Sequence, residues 1–162
     1  MSTVSSHLVL LAEKRLLHFI QVARYSRTLQ SDLRSHREFS CPWGGYGVLE
    51  SGWLLPQCLP YKIKRLYVDP GQACSLQLHA HRHEIWHMEI GVSSVTIKDK
   101  TQDFRQGQNL LVPKGLAHRI RNETQTTVCV LEIQFGEVLD EEDVMRLEDD
   151  YGRAEGSAQI SA

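Results

Sequence analysis

The chain has 162 residues, with 18 Lys and Arg against 20 Asp and Glu, for a formal net charge of -2. That length suits one ordinary domain with a real hydrophobic core, and 41% hydrophobic with 23% charged residues is a globular composition. No basic excess points to nucleic acid, no apolar run is long enough for a transmembrane segment, and no signal sequence precedes the cysteines, so a cytoplasmic protein is expected.

From His7 to Leu33, residues Leu8, Leu11, Leu16, Phe19, Ile20, Ala23 and Leu29 recur at helical intervals with no Gly or Pro between them. This predicts one or two amphipathic helices within a leader of residues 1–40, made basic by Arg24, Arg27, Arg34 and Arg37. Such a stripe packs on the main domain or on a second subunit, and a homodimer is expected. Pro42-Trp43-Gly44-Gly45-Tyr46-Gly47 marks a boundary, because the glycines stop the helix. Beyond it the texture changes to short strands, expected at Tyr61–Val68, Cys74–His81, Ile85–Ile90, Val92–Lys98, Asn109–Val112, Ala117–Arg121 and Val128–Phe135. Turn signals such as Asp69-Pro70-Gly71 and Pro113-Lys114-Gly115 separate them, which predicts an all-β sandwich or barrel. The segment Asp140 to Asp150 is strongly acidic and reads as a solvated terminal element, followed by a frayed tail of residues 154–162. Cys41, Cys58, Cys74 and Cys129 are widely spaced and form no CxxC pair, which predicts free thiols.

Two glycine-bounded stretches carry the chemistry. The first runs from Gly71 through Gln77, His79 and Glu84 to Gly91, the second from Gly107 through Pro113-Lys114-Gly115 and His118 to Asn122. His79, His81, His83 and His87 are four of the chain's eight histidines, more than an ordinary surface strand carries. Two imidazoles with carboxylate or amide oxygens suit a borderline divalent ion such as zinc, iron, nickel, cobalt or manganese. The spacing favours Gln77, His79, Glu84 and His118 as ligands over a set containing His81. Period-two alternation then leaves His81 facing the cavity as a proton carrier, and puts Trp86 and Met88 beside the site as apolar walls.

These motifs resemble the cupin superfamily, whose fold is an antiparallel jelly-roll barrel, here expected over residues 41–153 behind an N-terminal helical extension. The Gln-x-His start looks like the zinc site of phosphomannose isomerases. Pro42-Trp43-Gly44-Gly45-Tyr46, Ser75-Leu76-Gln77, Glu84-Ile85-Trp86 and the tail Arg146-Leu147-Glu148-Asp149-Asp150-Tyr151-Gly152-Arg153 follow the order of the type II phosphomannose isomerase domain. That domain is often fused behind a mannose-1-phosphate guanylyltransferase, for which the leader here is too short. The chain departs from the family pattern at Cys41, where an arginine is usual, at Ile85, where histidine is usual, and at Ala80, which replaces a common third histidine.

The resemblance implies a metal-dependent interconversion of mannose 6-phosphate and fructose 6-phosphate, within nucleotide-sugar biosynthesis, with zinc as the leading ion and a phosphorylated hexose as the partner. It sets His81, Glu89 and Lys64 as catalytic candidates and Arg65, Arg119 and Arg153 as the cations for the phosphate, since a guanidinium fork matches a pair of phosphate oxygens. The competing reading is a sugar- or sugar-phosphate-binding regulatory cupin without turnover.

Overall fold

A computed structural model of the chain describes residues 5–25, 37–56 and 58–153. One helix, α1 (Ser6–Tyr25), precedes eleven strands. They are β1 (Phe39–Cys41), β2 (Gly44–Leu54), β3 (Leu59–Val68), β4 (Leu76–Leu78), β5 (Arg82–Ile90), β6 (Val92–Ile97), β7 (Lys100–Arg105), β8 (Asn109–Val112), β9 (His118–Arg121), β10 (Val128–Gly136) and β11 (Met145–Glu148). The expected continuation of the helix to Leu33, with Leu29, and the tail from Ala154 lie outside the described residues.

The strands form two sheets, in the orders β1-β2-β3-β10-β5-β8 and β11-β4-β9-β6-β7. The recorded ladders between strands are antiparallel. Neither sheet closes on itself, so the expected barrel is a double-sheet sandwich here. The inner faces share one core: Leu66, Val68, Trp86, Met88, Val112, Val128 and Val130 from the larger sheet meet Val95, Phe104 and Ile120 from the smaller.

The outer face of the larger sheet is also buried. Ala12, Leu16 and Ile20 of α1 lie at helical spacing and pack on Tyr61, Ile63, Ile85, Leu131, Ile133 and Phe135. Each fully buried aliphatic or aromatic side chain in such a contact contributes about 1.5–3 kcal/mol. Arg15 pins the helix by donating to the Tyr61 hydroxyl at 2.9 Å and pairing with Glu50. The apolar stripe that called for a partner therefore finds one in the chain's own sheet.

Four strands escape the periodicity. β2 runs through the glycines read as a boundary, and they are what lets it pair: Gly44, at φ +140°, lies so close to β3 that a Cβ there would meet the Tyr67 carbonyl oxygen at 2.0 Å. β1 and β7 are edge strands with largely exposed residues, so they lack an apolar alternation to read. β11 falls within the acidic segment, which is not a solvated appendage. It pairs with β4, and the segment before it is tied down by Lys62 to the Leu139 carbonyl at 2.9 Å and by Arg82 to the Asp140 carbonyl at 2.6 Å.

Candidate metal centre and cavity

His79, Glu84 and His118 come together at one end of the sandwich, with their ligand atoms within 4.8 Å of one another. Gln77 of β4 sits opposite His118 of β9 in the ladder, which fixes the first stretch of sequence against the second. β4 ends at Leu78, and the chain turns at Ala80 and His81, whose backbone N–H groups both donate to the Asp143 carboxylate, at 3.0 and 3.2 Å. The Pro113-Lys114-Gly115 turn docks on the same corner: Gly115, at φ 79°, donates its N–H to the His79 carbonyl at 2.7 Å, and Lys114 donates its own to His83 Nδ1 at 3.0 Å. The interlock of the two motifs is this set of backbone contacts.

Both imidazoles are oriented from behind. His79 Nδ1 is hydrogen-bonded to the Asp143 carbonyl, and His118 Nδ1 to the Leu116 carbonyl at 2.9 Å. A carbonyl can only accept, so Nδ1 carries the proton in each ring and Nε2 turns inward. His79 Nε2 lies 3.1 Å from Glu84 Oε1, and His118 Nε2 lies 3.7 Å from Glu84 Oε2. His118 Nε2 is buried and has no hydrogen-bond partner among the described residues. An orphaned buried nitrogen beside a second imidazole and a carboxylate is the donor set a divalent ion completes.

The electrostatics agree. Burial opposes charge on Glu84, but the His79 hydrogen bond and the charges of His79 and Arg82 hold its carboxyl far below the ordinary carboxylate range. Burial draws the His79 imidazole down, yet contact with Glu84 outweighs it and the net shift is upward. Burial lowers the His118 imidazole and keeps it neutral, the form that ligates.

Around this centre opens a cavity of about 240 Å³. That is below the roughly 300–1,000 Å³ of drug-sized sites, so it takes a small molecule. Trp86 forms a wall, its ring edge-on to His118 at 5.4 Å, and its indole N–H donates to Glu84 at 3.2 Å and to Glu132 at 3.1 Å. Lys64, Arg82, Arg119, Arg146 and Arg153 bring positive charge to the lining, against Glu84, Glu132 and Glu141. Arg119 and Arg146 each keep a buried Nε with no partner among the described residues. Arg119 also pairs with Glu148 at 3.4 Å, and Arg153 with Asp149 at 2.6 Å.

The expected site residues divide. Gln77, His79, Glu84, His118, Lys64, Arg119 and Arg153 all line the cavity. The Gln77 carbonyl oxygen accepts from the Ser75 hydroxyl at 2.7 Å. His81 is exposed and off the cavity wall, because the strand that should have carried it inward has already ended. Glu89 and Arg65 point to the outer face of the larger sheet, where they form a two-pronged ion pair at 2.7 and 2.9 Å. Sequence reasoning missed Arg82, Glu132, Gln134 and Arg146. Three of these carried a signal: Glu132 and Gln134 interrupt an otherwise apolar strand at period two. Arg82 lies two residues before Glu84 on the same alternation.

Residues 28–149 match the family described as mannose-6-phosphate isomerase C-terminal. The chain belongs to that family. Among its relatives, the alginate biosynthesis protein AlgA of Pseudomonas aeruginosa is 36% identical over 134 residues, covering 82% of this chain and 27% of that protein. The xanthan biosynthesis protein XanB of Xanthomonas campestris is 35% identical over 124 residues, covering 76% and 25%. The mannose-1-phosphate guanylyltransferase ManC of Salmonella typhimurium is 35% identical over 118 residues, covering 73% and 23%. The chain thus spans about a quarter of the length of these curated relatives. Solved structures give the fold: a cupin 2 conserved barrel domain protein from Salinispora arenicola aligns with TM-score 0.51 at 17% identity, over 67% of this chain and 88% of that one. The capsular polysaccharide assembling protein CapF of Staphylococcus aureus aligns with TM-score 0.54 at 16% identity, over 67% and 31%. As a mannose-6-phosphate isomerase C-terminal domain, the chain has a cupin-type double sheet with a candidate divalent-metal site at one end.

Proposed function

We propose that this domain is a type II-like mannose-6-phosphate isomerase, a metal-dependent aldose–ketose isomerase interconverting mannose 6-phosphate and fructose 6-phosphate. The observation that carries the reading is the convergence of two Nε2 atoms and one ionised carboxylate at the floor of a small cavity lined by cations. His79, Glu84 and His118 would hold the ion, with Gln77 as the fourth ligand on the cavity wall; zinc fits this nitrogen and oxygen set, and manganese, cobalt, nickel and iron are the others to test. A divalent ion there would supply a Lewis acid for the sugar's carbonyl and neighbouring hydroxyl oxygens.

The chain's own residues supply the rest. Trp86 and Ile120 exclude water from one side of the cavity. Arg119, Arg146 and Arg153 offer guanidinium N–H groups to the phosphate, the first two with donors still free to take it. Lys64 is buried, stacks over the Tyr46 ring at 4.6 Å and pairs with Glu141; its ammonium sits to stabilise negative charge developing on the substrate. The activity resides in the unit of residues 41–153, with residues 1–40 as a leader or linker remnant, and the protein works as a homodimer. Four free cysteines suit the reducing cytoplasm where this substrate class is metabolised.

One observation favours a second reading. Cys41 lines the cavity, and burial raises its thiol pKa, so it stays neutral and brings no charge to a phosphate. A domain that binds sugar phosphate without turning it over would be the result. A coupled assay for fructose 6-phosphate, with purified protein supplied with each metal in turn, separates the two. Turnover that disappears on chelation supports the isomerase. Tight sugar-phosphate binding with no turnover under any metal supports the binding domain.

A further inference from the structure

We propose that Glu132 carries the proton between C2 and C1 of the sugar, a role that rests on the isomerase reading above. Three carboxyl groups line the cavity among the described residues: Glu84, Glu132 and Glu141. Glu84 belongs to the metal centre and is held strongly in its ionised form, which makes it a poor base. Glu141 is half exposed and is engaged by both Lys62 and Lys64. Glu132 is the carboxyl left to do proton chemistry.

The ladder places it for that work. On the inner face of the larger sheet, Glu132 of β10 stands opposite Trp86 of β5 on one side and Lys64 of β3 on the other. Gln134, two residues along, stands opposite Glu84, so Glu132 lies one inward-facing row from a metal ligand. Its oxygens are held separately: Oε1 accepts from the Trp86 indole at 3.1 Å and Oε2 from the Gln134 amide at 2.9 Å. Neither donor is a cation, so no ion pair locks Glu132 in the charged form. Burial raises its carboxyl above the ordinary carboxylate range, against the pull of Lys64, Arg82 and His79. A buried carboxyl held at each oxygen by a neutral donor, on the wall of the cavity, is placed to take a proton and return it.

The step balances. The Glu132 carboxylate takes the C2 proton of the open-chain aldose; the C–H electrons form the C1–C2 double bond and the carbonyl electrons move onto O1. The hydroxyl proton of O2 crosses to O1. The C2 carbonyl then forms, the double-bond electrons take the proton from Glu132 onto C1, and the carboxylate is restored. One carboxyl serves both carbons, so both transfers take place on one face of the enediol.

The test compares wild type, Glu132→Gln and Glu132→Asp, loaded with whichever metal gives wild-type turnover. Three quantities are read: kcat and KM in the coupled assay, metal per chain, and washout of deuterium from C2-labelled mannose 6-phosphate by NMR. The expected result for E132Q is a fall in kcat of about 10²- to 10⁴-fold with KM within about threefold, full metal occupancy and no washout, and partial recovery in E132D. An E132Q enzyme turning over within about threefold of wild type overturns the role while leaving the isomerase reading intact. Loss of metal in step with loss of activity in both variants also overturns it, since Glu132 would then be supporting the centre. A wild-type protein inert under every metal removes the isomerase reading and the role of Glu132 with it.

Discussion

The two faces of the larger sheet are built from the same strands and do opposite work. Along β10, Leu131, Ile133 and Phe135 face outward beneath α1, while Glu132 and Gln134 face inward to the cavity. The outward set is apolar and dry. The inward set is polar, and each group there is tied to another: Trp86 to Glu84 and Glu132, Gln134 to the same two carboxylates. Burying charge beside the centre costs stability, because carboxylates lose hydration that hydrogen bonds only partly replace. The helix-covered face offsets that cost. The lesson is a division of labour at a spacing of one residue, with Lys64 turned to the cavity and its neighbour Arg65 turned to the scaffold.

The sharpest way to break the comparison is at His118. Replacing it with alanine removes a ligand and should weaken metal binding by at least about 100-fold and abolish turnover; calorimetric metal titration and the coupled assay check both. Lys64→Met comes next, lowering kcat/KM by about 100-fold while metal content stays full. On the opposite face, Phe135→Ala should cost about 3–5 kcal/mol of stability and Leu16→Ala about 2–4, by denaturant unfolding, with metal stoichiometry unchanged in the folded protein.

The pH dependence sharpens the contrast in metal-free protein. Glu132 binds its proton up to about 7 when folded, against an ordinary value of 4.5. The folded state therefore holds more protons between those values, and this residue's contribution to stability falls as pH rises through that window. Glu84 has the opposite sign: its contribution is fully present above its ordinary 4.5 and is lost as pH falls below it toward the depressed folded value. Urea unfolding of chelated wild type and E132Q between about pH 5 and pH 8 should show a steeper downward slope in wild type, the slope left in E132Q coming from the raised His79 imidazole. The smallest effect is at the outer ion pair, where Glu89→Gln should cost about 1–2 kcal/mol and leave turnover unchanged.

Period-two alternation made the inner face legible wherever a strand ran unbroken: Glu84, Trp86 and Met88 on β5, His118 and Ile120 on β9. It misled at His81, because the strand ends where Asp143 and Gly115 capture the backbone, and both arrive from far along the chain. It could not separate Lys64 from Arg65 without knowing which parity faced inward. The acidic segment hid its role behind its composition. Its carboxylates answer Lys62, Lys64, Arg119 and Arg121, which are scattered through earlier sequence and become neighbours only in the fold. Glu132 is legible as a lone acid in an apolar strand, but a single acid has no ligand spacing to mark its role as the histidine cluster does.

The bond from His79 to the Asp143 carbonyl gives the centre a sense of time. During synthesis, Glu84 and His118 emerge from the ribosome before the residue that aims His79. A nascent chain that has reached only Gly136 carries every candidate ligand but lacks the rear support of His79. Tight capture of an ion would then wait for residues 137–148 to fold back along β4. Loading would be a late event in biogenesis, and a polypeptide cut short before Asp143 would lack the carbonyl that aims His79.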